Sequence, residues 1–300
     1  MKNYIKEFDG YLVAVKHSSE NTVQSYNRDI INFCNYSATS YIDDMAAVTS
    51  DFLHKYIEYL YGIGKSPSTV SRTISSIKCY YRFLQSLSLC ETLPTDGLKP
   101  KPTNAKKMPV ILDYNEVRQL LAQPDMNDYK GIRDKAMLEV LYATGIKVTE
   151  LITLKTTDLN LSVGIIELNG ENGLHRTVPL YDEAIHILSL YLRQVRSSVI
   201  TESAQQMLFT NMNGTQLTRQ GFWKIIKSYS KSAGIKKDIT PNTLRHSFAV
   251  HLLENGAQIS DIQELLGHAD VSSTKFYTKV VKNKYAAKYQ RFHPMARKEF

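Results

Sequence analysis

Residues Thr240–Val280 read TPNTLRHSFAVHLLENGAQISDIQELLGHADVSSTKFYTKV. Thr240 can cap a helix, and Pro241 suits its first turn, where a missing N–H costs nothing. That helix is expected to run to Asn255, with Gly256 just beyond it. Shorter helices are expected near Ser260–Leu266 and Ser272–Val280. The stretch carries Arg245 inside Leu-Arg-His-Ser-Phe-Ala, His268 directly after Leu-Leu-Gly, and Tyr277 nine residues later. His246 and His251 are five apart, so they do not share a helix face as a metal-ligand pair would, and both read as structural.

Moving outward, Thr218–Ala233 and Asp182–Val195 read as helices. Two short strands are expected at Val163–Leu168 and His175–Leu180, joined by Asn169-Gly170-Glu171-Asn172-Gly173, whose Asn-Gly pairs mark a hairpin turn. Asn115–Ala122, Ile132–Ala143 and Lys147–Leu154 read as helices, with Gly145 closing the second of them. The segment 98–109, LKPKPTNAKKMP, holds three prolines and four lysines, and proline keeps it extended. It divides the chain into 1–97, a linker at 98–109, and 110–300. Before the linker, Ser19–Tyr36 is a helix capped by Ser18 or Ser19, with Val23, Tyr26, Ile30 and Phe33 on one face. A second helix opens at Ser66-Pro67 and presents Val70, Ile74, Ile77, Tyr81 and Leu84, with Lys65, Arg72, Lys78 and Arg82 on its other side. A helix that is apolar on one side and basic on the other can lie on DNA or simply face solvent.

Composition sets the class. A chain of 300 residues allows about two domains, each with a full core. With 43% hydrophobic and 22% charged residues the chain reads as globular rather than disordered. It has no apolar run near 18 residues, so no membrane partner is expected, and its N-terminus lacks the apolar stretch of a signal peptide. A cytoplasmic protein is expected. Cys34, Cys79 and Cys90 are odd in number and scattered, which argues against disulfides or zinc and for three buried small hydrophobes. The net charge of +8 suits a polyanionic partner, since Lys and Arg displace counterions from DNA.

The ordered set of motifs resembles the tyrosine recombinases, the phage-integrase and Xer-type enzymes. Beyond Arg245, His268 and Tyr277 it includes Ala143-Thr144-Gly145, Glu150-Leu151, Val178-Pro179-Leu180, Leu208-Phe209, Leu217-Thr218 and the tail Phe292-His293-Pro294. The N-terminal half is similar to the family's helical core-binding domain through Asn21-Thr22, Tyr26, Asp29, Phe33, Ser68-Thr69-Val70 and Arg72. The resemblance implies a mainly α protein with a small β-sheet: a SAM-like core-binding domain plus a catalytic domain, forming a C-shaped clamp on double-stranded DNA. It implies strand cleavage and rejoining through a 3′-phosphotyrosine, with no cofactor or metal. It also implies a tetramer on two DNA sites, coupled by a C-terminal tail in which Tyr285, Tyr289 and Phe292 are candidate anchors. Tyr277 then becomes the nucleophile, Arg245 the guanidinium that grips the phosphate, and His268 a hydrogen-bond donor. Glu150 matches a supporting acid, and can equally serve as a cap or as an i,i+4 partner. Expected DNA contacts are Lys65, Arg72, Lys78, Arg82, the linker residues Lys106 and Lys107, Arg176 and Arg219.

The resemblance also exposes three departures. Lys147 stands where the family has arginine, keeping the charge but losing the planar fork. Glu171 stands in the hairpin turn where a lysine protonates the leaving oxygen, and an ionised carboxylate can neither donate that proton nor welcome a phosphate. Asn242 replaces a histidine; it still hydrogen-bonds but transfers no proton at neutral pH. Two outcomes stay open: a recombinase with weakened catalysis, or an inactive homologue acting as a DNA-binding accessory or regulatory factor, alone or mixed with an active relative.

Overall fold

Ser19 and Ser66 each turn a side-chain oxygen onto a backbone N–H three residues ahead, and each starts a 20-residue helix. In this computed structural model those helices are α2 (Glu20–Thr39) and α4 (Pro67–Ser86), joined in the N-terminal unit by α1 (Ile5–Ala14) and α3 (Ser50–Gly62). The structure describes residues 4–40, 44–101, 108–169, 175–201, 204–267, 277–278 and 280–281. The chain divides into units at 1–106 and 107–300, a boundary inside the expected linker.

The N-terminal core is built from helix stripes. Phe8, Leu12, Ile30, Phe33, Leu53, Val70, Ile77, Tyr80 and Tyr81 are almost fully buried there. Each large apolar side chain so buried contributes about 1.5–3 kcal/mol. Inside this core Asp29 of α2 meets α4: Arg72 donates to its carboxylate at 2.7 Å and Ser76 at 2.8 Å, while Arg72 also donates to the Ser25 carbonyl at 3.0 Å. Cys34 and Cys90 are buried, as expected, but Cys79 is only half-buried.

In the C-terminal unit α5 (Tyr114–Leu121) opens with a capping box between Asp113 and Glu116. Next comes α6 (Tyr129–Thr144), buried nearly all round, which makes it the central helix. Its buried charges are paired. Arg133 holds Asp134, Tyr229 donates to the other Asp134 oxygen, and Lys135 bridges to Glu139. A short α7 (Val148–Thr153) leads to an antiparallel sheet of β1 (Leu159–Asn160), β2 (Ile165–Asn169) and β3 (His175–Pro179). Ile166 pairs with Val178 and Asn169 with His175, the register of a hairpin. Ile166, Leu168 and Val178 are buried in alternation with exposed neighbours.

The chain continues through α8 (Asp182–Tyr191), a π turn at Leu192–Arg196, the short α9 (Ser197–Val199), α10 (Arg219–Ser232), α11 (Pro241–Glu254) and α12 (Ile259–Leu266). The expected helix Asp182–Val195 thus loses its regular winding near its end, where Arg196 donates to the Met207 carbonyl. The hydroxyl of Ser247 accepts from the Leu112 N–H at 2.9 Å, tying α11 to the start of the unit. Among the described residues no helix is long and apolar enough to cross a membrane.

Candidate active site

Gly145 closes α6 in the left-handed conformation, with φ of 60°. A Cβ there would lie 2.3 Å from a ring carbon of Phe248 on α11, so only glycine lets the two helices come this close. The Gly145 carbonyl then accepts from Arg245 Nη1 at 2.6 Å. Gly267, with φ of 62°, closes α12 in the same way, and the Leu266 carbonyl accepts from Arg245 Nη2 at 2.8 Å. Arg245 is 5% exposed, so two helix ends hold its guanidinium away from water. Burial lowers its pKa, the charges of Glu150 and Tyr277 act to raise it, and Arg176 lowers it further. An arginine stays charged through such a shift.

Glu150, in the first turn of α7, caps the helix as foreseen, but its ionic partner is Arg176 of β3 rather than a residue at i,i+4. Its carboxylate accepts the Lys147 N–H at 2.7 Å, capping the helix, and takes both Arg176 Nη atoms at 2.8 and 2.9 Å. Burial acts to raise the Glu150 pKa, but hydrogen bonds from Arg176 and the Lys147 N–H, with the charges of Arg176 and Arg245, bring it below the ordinary value. Arg176 Nε also donates to the Leu265 carbonyl at 2.9 Å. Two arginines, from β3 and α11, therefore cap the last carbonyls of α12.

Tyr277 is 2% exposed, and its hydroxyl lies 2.9 Å from His246 Nδ1, the two rings 5.7 Å apart at 51°. Burial raises the tyrosine pKa and the Arg245 charge partly offsets that. Burial, and then Arg245, lower the His246 pKa. His246 was read as structural from the sequence, yet it meets the candidate nucleophile. Spacing alone cannot show a contact between residues 31 apart in the chain, and the one clue was its place beside Arg245. His251, read the same way, pairs with Tyr142 at 2.8 Å.

The other expected residues are placed unevenly. Lys147 is half-buried at the N-cap of α7, close to the Glu150–Arg176 pair. Asn242 is exposed in the first turn of α11. His268, Glu171, Lys106 and Lys107 lie outside the described residues, as do most of the expected helix Ser272–Val280 and the tail anchors. Two expected DNA contacts are engaged in internal ion pairs, one of them partly exposed. Arg72 is bound to Asp29 across α2 and α4, and Arg176, with its side chain 8% exposed, is spent on Glu150 and Leu265. Lys65, Arg82 and Arg219 are exposed. Lys78 and Arg82 line a recess of about 380 Å³ with Lys16, Thr22 and Ser75.

Residues 111–284 match the model of the phage integrase family, and residues 5–86 match that of the phage integrase N-terminal SAM-like domain. The chain belongs to the phage integrase family. This tyrosine-recombinase member is 40% identical over 296 residues to tyrosine recombinase XerD of Staphylococcus epidermidis, covering 99% of the chain and 100% of that protein. It is 38% identical to tyrosine recombinase XerD of Staphylococcus aureus, with the same coverage. The family fold is shared with the crystal structure of XerA recombinase, at 26% identity and a TM-score of 0.54 over 97% of this chain and 98% of that one. It is shared also with XerH bound to its palindromic difH substrate, at 19% identity and a TM-score of 0.74 over 95% and 84%. The chemistry of the family is the cleavage and rejoining of DNA strands.

Proposed function

We propose that this chain is a site-specific DNA-binding recombinase that engages duplex DNA and cuts and rejoins one strand through a 3′-phosphotyrosine at Tyr277, with weakened catalysis. The carrying observation is the cluster itself: the Tyr277 hydroxyl lies on His246, within the field of a buried Arg245 fixed by two helix ends. A cation fixed in advance needs little reorganisation when charge develops on a phosphate. Lys65, Lys78, Arg82, Lys106, Lys107 and Arg219 are the proposed backbone contacts, while Arg72 and Arg176 stabilise the surfaces around them. The relatives and solved structures that carry recombinase names, several of them DNA complexes, support duplex DNA as the partner.

Catalysis is weakened because Lys147, Glu171 and Asn242 replace an arginine, a lysine and a histidine. Loss of one oriented donor typically costs about 10²–10³ in rate, and losses within one site do not multiply. Glu171 favours a second reading, an inactive homologue that binds DNA beside an active relative, because a carboxylate in the turn opposes both phosphate binding and leaving-group protonation. A nicked DNA substrate that traps the covalent intermediate separates the two. An adduct on a denaturing gel that disappears in Tyr277→Phe supports the enzyme. No adduct, but one restored by Lys147→Arg, Glu171→Lys and Asn242→His together, supports the binder. No adduct even then removes Tyr277 from the mechanism.

A further inference from the structure

Helix α11 sets positions 242 and 246 one turn apart on one face. The first holds an asparagine, which cannot take a proton, and the second holds an imidazole in contact with the nucleophile. We infer that His246 is a catalytic residue whose Nδ1 takes the proton of the Tyr277 hydroxyl as that oxygen attacks a DNA phosphate. This rests on the proposed role of Tyr277 as nucleophile.

The geometry supplies the acceptor. The separation of 2.9 Å lies within the reach a general base needs, about 2.6–3.2 Å. With the hydroxyl as donor, Nδ1 offers its lone pair and Nε2 carries the ring proton. Among the described residues the charge acting on His246 is that of Arg245, and it adds to burial in keeping the ring neutral. The same arginine acts on Tyr277, whose burial keeps its proton on at neutral pH. The phenol therefore needs an acceptor, and among the described residues the neutral His246 ring lies within hydrogen-bond reach of it. Because Tyr277 is 2% exposed, bound DNA has to open a path to its hydroxyl. His246 follows Arg245 directly on α11, so the acceptor stays with the cation proposed to hold the phosphate.

The step balances without metal or nucleotide. The Oη–H bond breaks toward Nδ1, the Oη–P bond forms, and the bond from phosphorus to the 5′-oxygen breaks. That oxygen takes a proton from water, and the hydroxide left behind takes the proton from the imidazolium. Rejoining runs the same transfers backward.

The test compares His246→Asn with His246→Ala, in the full chain and in a Lys147→Arg, Glu171→Lys background that leaves Asn242 in place. Asparagine sets an amide oxygen near the Nδ1 position and preserves a hydrogen bond from the tyrosine, but accepts no proton. Both substitutions are expected to slow adduct formation on the trapping substrate by about 10²–10⁴-fold, at unchanged DNA affinity. The parent rate should also fall on the acid side, below the ordinary imidazole value of about 6.5, and His246→Asn should lack that limb. A parent-like rate and pH profile in His246→Asn, with Tyr277→Phe still inactive, would leave Tyr277 as nucleophile and reduce His246 to packing. Absence of adduct in every background removes the nucleophile itself and the base with it.

Discussion

The carboxylate of Glu150 does the most at the scale of single residues, because it serves a helix cap and a bidentate arginine at once. Its side chain is 14% exposed and that of Arg176 8%, so removing either leaves the other charge buried and unpaired. Glu150→Ala is expected to cost about 3–5 kcal/mol, measured by denaturant unfolding of the C-terminal unit's signal. Protonation does the same gradually. Since the native pKa is lowered, the contribution is complete above the unfolded carboxylate value of about 4.3 and disappears as pH falls through the lower native one. His246 has the same sign in a higher window. Its lowered native pKa means that the unfolded chain binds the proton first, so stability declines as pH falls from about 6.5. Unfolding curves recorded between neutral pH and the carboxylate range should show that decline in the parent and not in His246→Asn. Arg245 and Tyr277 were legible in the sequence because their flanking residues are distinctive. The two carbonyls that hold Arg245 were not, since a main-chain oxygen leaves no trace in residue identity.

Elements were legible where a cap and a long apolar stripe coincide. Helix α4 has Ser66, Pro67 and recurrent buried positions, and it begins where expected. Helices α1 and α3 are not legible in the sequence, although Phe8 and Leu12, and Leu53, Tyr56, Ile57 and Leu60, form their buried faces. Polar and aromatic residues between those positions blur the stripes. Strand β1 is two residues long, too short for any period to register, and a π turn comes from packing rather than from propensity. The junction of α6 with α11 makes the sharpest prediction at this scale. Gly145→Ala meets both a positive φ and the Phe248 ring, so a loss of about 1–3 kcal/mol is expected, together with a weaker Arg245 anchor. Thermal unfolding and the adduct assay should move together in that variant. Between α2 and α4, Arg72→Ala exposes the buried Asp29 to an unmet charge and should cost the N-terminal unit about 1–3 kcal/mol. With the Arg72 charge committed to Asp29, DNA affinity is expected to change without a change in salt slope. Lys78→Ala and Arg82→Ala should each reduce that slope by about one while leaving stability alone.

For the molecule as a whole, the charge of +8 and the two matched domains were both legible, the first from composition and the second from a proline- and lysine-rich joint. Assembly is the property that residue patterns express least. A chain ending at Asn283 is expected to bind a single duplex site as before but to lose higher-order complexes on DNA, as native gels and light scattering would show. Unchanged complexes would mean that the basic, aromatic tail folds onto its own domain. The two arginines at the end of α12 carry a mechanical consequence. Leu266 anchors the guanidinium proposed to receive the phosphate, and the peptide that leaves this anchor leads on to Tyr277. Arg245 and Arg176 thus hang from adjacent carbonyls of a single helix end, and a displacement of that end carries both guanidinium groups with it.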